Sequence, residues 1–179
     1  MWISQNSNLE AFELDEVFWY LSHKEKNENR SNIYIMTMLS RIPRQIVGYC
    51  VDISVNSKSI QKIADNAPYA NNYYSDGNLV YCDVVFSGKY HRNVRNKKDT
   101  HNIESSNADL RHYIAGLSRR SRTFFRSKDT LDAVLWLFIQ AYNKFGEAKE
   151  KYKKEVIHKS TAKHLHKYRD LPFSIIDFL

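Results

Sequence analysis

No stretch of this chain approaches the ~18 consecutive apolar residues that a bilayer-spanning helix needs. Its first residues, MWISQNSNLE, lack the basic and apolar regions of a secretory signal. A cytoplasmic protein with no membrane partner is the expectation. Cysteine is scarce, and Cys50 and Cys82 could form at most one disulfide. Their apolar flanks predict two buried free thiols. There is no four-ligand Cys/His cluster of the kind that holds structural zinc. The patterns G-x-x-x-x-G-K-[ST] and G-x-S-x-G and the Rossmann glycines are missing too, so nucleotide hydrolysis and serine hydrolysis lack support. Internal repeats and Gly/Ser linkers are also absent. Two segments, 89–98 and 111–128, contain no acid at all.

What is present fits one domain with a true core: 179 residues, 42% hydrophobic and 26% charged. The net charge of +7 favours a polyanionic partner, because basic surfaces gain affinity for phosphates by releasing counterions. The distribution sharpens this. Lys89, Arg92, Arg95, Lys97 and Lys98 form one acid-free run. Arg111, Arg119, Arg120, Arg122, Arg126 and Lys128 form another. The acids gather instead near the start, at Glu10, Glu13, Asp15 and Glu16. An acidic core with basic flanks suits a metal site that handles nucleic acid.

Residues 9–21, 33–39 and 45–53 read as three strands in an antiparallel meander. Their near-continuous apolar runs predict a sheet covered on both faces. Asn56 or Ser57 caps a helix that carries Ile60, Ile63 and Ala64 and ends at Asn66-Ala67-Pro68. The strand at 71–75 follows, and a strand–helix–strand crossover makes it parallel within the same sheet. A short helix or turn and then a fifth strand are expected over 78–86, around YCDVVF, and 88–99 reads as a basic loop. A helix over about 102–117 presents Ile103, Leu110, Ile114 and Leu117 on one stripe, with Glu104, Ala108, Arg111 and Ala115 beside it. Ser127 opens a last helix with the stripe Leu131, Val134, Leu135, Phe138, Ala141, Tyr142 and Phe145, and Gly146 is its expected stop. Residues 147–179 read as a basic helical tail whose apolar end, Phe173 to Leu179, docks on the body. Trp19 and Trp136 read as core, and Phe124 and Phe125 pack against the last helix. The tail histidines His158, His164 and His166 read as solvated, with metal binding the alternative, and His101 as a contact to DNA or metal-bound water or as a helix-cap or surface residue. The whole is an α/β fold, a mixed five-stranded sheet flanked by helices.

Three acids stand at telling places in this layout: Asp15 mid-strand, Asp76 at the end of a parallel strand, and Glu104 one turn into a helix. Ligands of open α/β sheets gather at the carboxyl ends of strands near a topological switch. A two-cation phosphoryl-transfer site needs carboxylates on rigid elements, because magnesium takes oxygen ligands in octahedral geometry.

The blocks ELDE (13–16), YYSDG (73–77) and THNIESSNADLR (100–111), in that order, resemble the catalytic blocks of DDE transposases of the insertion-sequence-1 type. SRRSRTFFRSKDTLDAVLWLFIQAYN (118–143) is similar to the region after their catalytic Glu, so the resemblance spans about residues 10–145. It implies a ribonuclease H-like catalytic domain over 1–146. Asp15, Asp76 and Glu104 fall on the catalytic, metal-binding acids, with Asn107 and Arg111 on polar positions of the same helix. It further implies Mg²⁺ or Mn²⁺, cleavage and strand transfer at transposon ends into target DNA, and a homo-oligomer. The basic residues of the two acid-free runs would bind DNA. Only 14 residues precede Asp15, where the family carries an end-recognition region. The alternative expectation is therefore a non-catalytic DNA-binding or regulatory relic of a transposase. A structure-directed nuclease on the same fold is a third.

Overall fold

The computed structural model describes residues 9–21, 31–88, 90–93, 99–118, 124–157 and 171–179. Strands β1 (Leu9–Leu21), β2 (Ser31–Ser40) and β3 (Gln45–Asp52) form the antiparallel meander. Helix α1 (Ser57–Asn66) crosses over to β4 (Ala70–Ser75), and a 3₁₀ turn (Leu79–Asp83) leads to β5 (Tyr90–Asn93). Helices α2 (His101–Tyr113) and α3 (Lys128–Ile157) follow, and a last 3₁₀ turn spans Ile175–Phe178. The sheet order is β3-β2-β1-β4-β5. β1 pairs antiparallel with β2 and parallel with β4, and β4 pairs parallel with β5. This is a ribonuclease H-like arrangement, with β1 central and the pairing direction changing across it. Among the described residues, no helix is long and apolar enough to cross a membrane.

Strand alternation builds two cores, one on each face. Odd-numbered positions of β1 and β2 (Val17, Trp19, Leu21, Ile33, Ile35, Leu39) pack on α2 and α3. Even-numbered ones (Phe12, Leu14, Met36, Met38) pack on α1 and the Leu79–Asp83 turn. The Asn56 side chain caps α1 by accepting from the Ser59 N–H at 2.9 Å. The expected α2 stripe, Ile103, Leu110, Ile114 and Leu117, is buried throughout, although α2 itself ends at Tyr113.

Several expectations are corrected. No strand forms around YCDVVF, whose first half is the 3₁₀ turn. The fifth strand lies at Tyr90–Asn93, inside the segment read as a loop. It is a short polar edge strand, so it shows no apolar alternation. Gly146 does not stop α3, which runs on to Ile157. A Cβ at Gly146 would lie 2.8 Å from the Arg44 carbonyl oxygen, so glycine here allows the helix to touch the β2–β3 turn. α3 thus carries the chain past residue 146, and Ile175 is buried in the α2–α3 core. Trp136 is 53% exposed, because it lies outside the buried Leu131–Leu135–Phe138–Tyr142 stripe. Cys82 is exposed and Cys50 half-buried, and both are free thiols.

Candidate metal centre

β1 places Glu13 and Asp15 on the face covered by α2, and Glu16 on the other. Glu13 is fully buried. Its carboxylate accepts from Arg41 Nε at 2.7 Å, from Asn102 Nδ2 at 2.7 Å and from the Ile103 backbone N–H at 2.9 Å. Thr100, the residue before α2, makes no side-chain cap. A strand carboxylate therefore caps this helix from across the interface, where a negative charge also suits the helix dipole. Arg41 Nη2 donates to the Asp99 carbonyl oxygen at 2.6 Å, which ties the chain entering α2 to the same point.

One helical turn further on, Asn107 donates from Nδ2 to Asp15 Oδ2 at 2.8 Å and accepts from Thr37 Oγ1 at 3.2 Å. Thr37 is the residue paired with Asp15 across β1 and β2. Two contacts, at Glu13 and Asp15, thus set the register of α2 along β1. Glu104 lies between them, half-buried. On the opposite flank of α2, Asn102 and Asp109 meet Arg44, through a 3.3 Å hydrogen bond and a 3.8 Å ion pair. At 100° per residue, Glu104 and Arg111 occupy the flank turned away from Arg44, on the Asn107 side.

The parallel register Leu14↔Ser75 puts Asp76 beside Asp15, one residue beyond the end of β4. One carboxylate oxygen each from Asp15, Glu16 and Asp76 lies within 4.8 Å of the other two. Among the described residues, this is the acidic group close enough to share an ion, and Glu104 is not one of the three. Asp76 Oδ1 accepts from the Asn78 N–H at 3.0 Å, and Asn78 opens the 3₁₀ turn. The Asn78 amide donates to Glu16 Oε1 at 2.9 Å, and the Tyr81 hydroxyl donates to Glu16 Oε2 at 2.7 Å.

Burial is the largest cause that pushes the Asp15 carboxyl up to about 6. The charges of Glu16 and Asp76 add to it, and hydrogen bonds from the Glu16 backbone and Asn107 partly offset it. Burial, then the Glu16 charge, also raises Tyr81 well above the ordinary tyrosine range. Three carboxylates without thiolate or imidazole are a hard oxygen donor set, which suits Mg²⁺, Mn²⁺ or Ca²⁺ rather than zinc or copper. Oxygens on one octahedral ion at about 2.1 Å are roughly 3–4 Å apart, a spacing near that of this group, which could hold a cation.

Of the acids singled out in sequence, Asp15 and Asp76 come together, while Glu104 stands on the neighbouring helix flank. Glu13, Asn78 and Tyr81 were missed as site-builders, and Glu16 was counted only as charge. Period-two alternation did place Glu13 beside Asp15 on one face, which is the one signal that pointed to it. Among the basic residues, Arg126 is exposed and Arg111 half-buried. Arg92 lies on β5, and nothing is described of its side chain. Lys89, Arg95, Lys97, Lys98, Arg119, Arg120 and Arg122 lie outside the described residues, as do His158, His164 and His166. Phe124 packs on Tyr20 with ring centroids 5.2 Å apart, and Phe125 sits against Gly116. No protein-family model matches this chain, and no curated protein matches it.

Proposed function

We propose that this chain is the catalytic domain of a DDE-type transposase, of the insertion-sequence-1 type, that cuts DNA at element ends and transfers the strand to target DNA. One observation carries the reading. Asp15 and Asp76, 76 − 15 = 61 residues apart, meet at the end of β4, where the sheet changes from antiparallel to parallel pairing. The strand order and the hard-oxygen donor set support it too.

Mg²⁺ or Mn²⁺ held there would supply Lewis-acid polarisation of a phosphate and activation of the attacking oxygen. Asp15 and Asp76 would be its ligands, with Glu104 joining from α2. Glu13 and Asn107 hold that helix in place on β1. Arg111, on the same flank as Glu104, would take a neighbouring phosphate, and exposed Arg126 would add to a salt-sensitive hold on the backbone. The protein's partners are then DNA, as transposon ends and target, and further copies of itself.

The test is a gel assay of plasmid nicking and of joining a 3′-OH oligonucleotide to target DNA, with Mg²⁺ or Mn²⁺. The wild type should do both, and Asp76→Asn should lose roughly 10²–10³ or more in rate while still binding DNA. Binding without any cleavage would replace this reading with a non-catalytic transposase relic. Cleavage without joining would replace it with a nuclease.

A further inference from the structure

Adjacent residues of a strand point to opposite faces, so they do not ordinarily share a ligand. Asp15 and Glu16 are an exception for a local reason. β4 ends at Ser75, opposite Leu14, so among the described residues β1 has no strand partner on that side from Asp15 onward. Both carboxylates can reach round the bare edge, and Asp76, leaving β4, meets them there.

Glu16 is then held in an unusual way. Among the described residues, no Lys or Arg pairs with it. Both its oxygens instead receive hydrogen bonds from neutral donors, the Asn78 amide and the Tyr81 hydroxyl. Tyr81 is only 1% exposed. Asn78 holds two of the acids at once, Glu16 through its side chain and Asp76 through its backbone N–H, and its own Oδ1 caps the 3₁₀ turn at the Val80 N–H. Neutral donors fix the direction of a carboxylate without cancelling its charge. Fixed direction and uncancelled charge, with an oxygen within 4.8 Å of oxygens of Asp15 and Asp76, are what a cation ligand requires.

We infer that Glu16 is a direct ligand of the divalent cation in this centre, delivered from the α1 face of the sheet, with Asn78 and Tyr81 as its positioning residues. The inference rests on reading Asp15 and Asp76 as a metal centre. It gives the centre acids from both faces of β1, with Glu16 entering from the side opposite α2 and Glu104.

The experiment is calorimetric titration of the full chain with MnCl₂, for wild type, Asp15→Asn, Glu16→Gln and Tyr81→Phe, beside thermal melts without cation. Glu16→Gln should weaken Mn²⁺ binding by at least about 10-fold, and Tyr81→Phe by about 10-fold. Tyr81→Phe keeps the Glu16 charge, so it decides the matter if Glu16→Gln fails to fold. Suppose instead that the wild type binds Mn²⁺, Asp15→Asn does not, and both other variants bind as tightly as wild type while melting lower. Glu16 is then a structural anchor of the turn, and the inference falls while the centre stands. A wild type that binds no Mn²⁺ overturns the centre itself, and Glu16 with it.

Discussion

Glu13 and Asp15 sit two residues apart on one strand, on the same face, under the same helix, and their surroundings are opposite. Glu13 has three donors on its two oxygens, one of them the Arg41 guanidinium. Asp15 has the Asn107 amide, and its nearest charges are two more carboxylates. The difference separates an acid whose charge is balanced inside the fold from an acid that, in the proposed function, is a cation ligand. At Glu13 the protein has already supplied the positive charge. At Asp15 it has gathered negative charge against burial, which raises the carboxyl to about 6.

Breaking the satisfied side of the pair should have the largest effect. Glu13→Ala strips Arg41 of its carboxylate and α2 of its cap together. Loss of one partner of a buried pair costs about 3–5 kcal/mol, and urea denaturation reads it directly. A loss under about 1 kcal/mol would mean that α2 is seated by its apolar stripe alone.

The unsatisfied side should respond with the opposite sign. In the folded, cation-free protein Asp15 keeps its proton up to about pH 6, whereas in the unfolded chain it gives it up near 3.8. Its folded form is thus unpenalised below about 3.8. Stability is lost as pH rises through 6, by up to about 3 kcal/mol. Asp15→Asn removes that slope and keeps an acceptor for Asn107. The variant should be the more stable protein at pH 8 in EDTA, with the difference vanishing near pH 4. Denaturation curves at the two pH values check it, and a variant less stable than wild type at pH 8 would sink the contrast with Glu13.

Much of this was legible in the sequence, for physical reasons. The first three strands carry dense apolar runs, and α1 carries a cap and a stripe. A crossover of that length forces β4 parallel, and that alone brings Asp76 alongside Asp15. The misreadings occur where a residue serves something distant. Tyr90–Asn93 is a strand because β4 offers it an edge, not because of its own pattern. Gly146 reads as a helix stop until Arg44 is seen against it. Glu13 reads as one more surface acid until α2 arrives 90 residues later to be capped. Glu16 points to the wrong face for Asp15 unless one knows that β4 has ended.

The most direct measurement is an anomalous diffraction map from crystals grown with Mn²⁺. The account predicts a manganese peak at the end of β4, bonded to carboxylate oxygens of Asp15 and Asp76 at about 2.1–2.2 Å. The same map should show oxygens of Glu16 and Glu104 in the same shell. No peak between Asp15 and Asp76 at millimolar Mn²⁺, or a peak elsewhere with those two carboxylates empty, would contradict it.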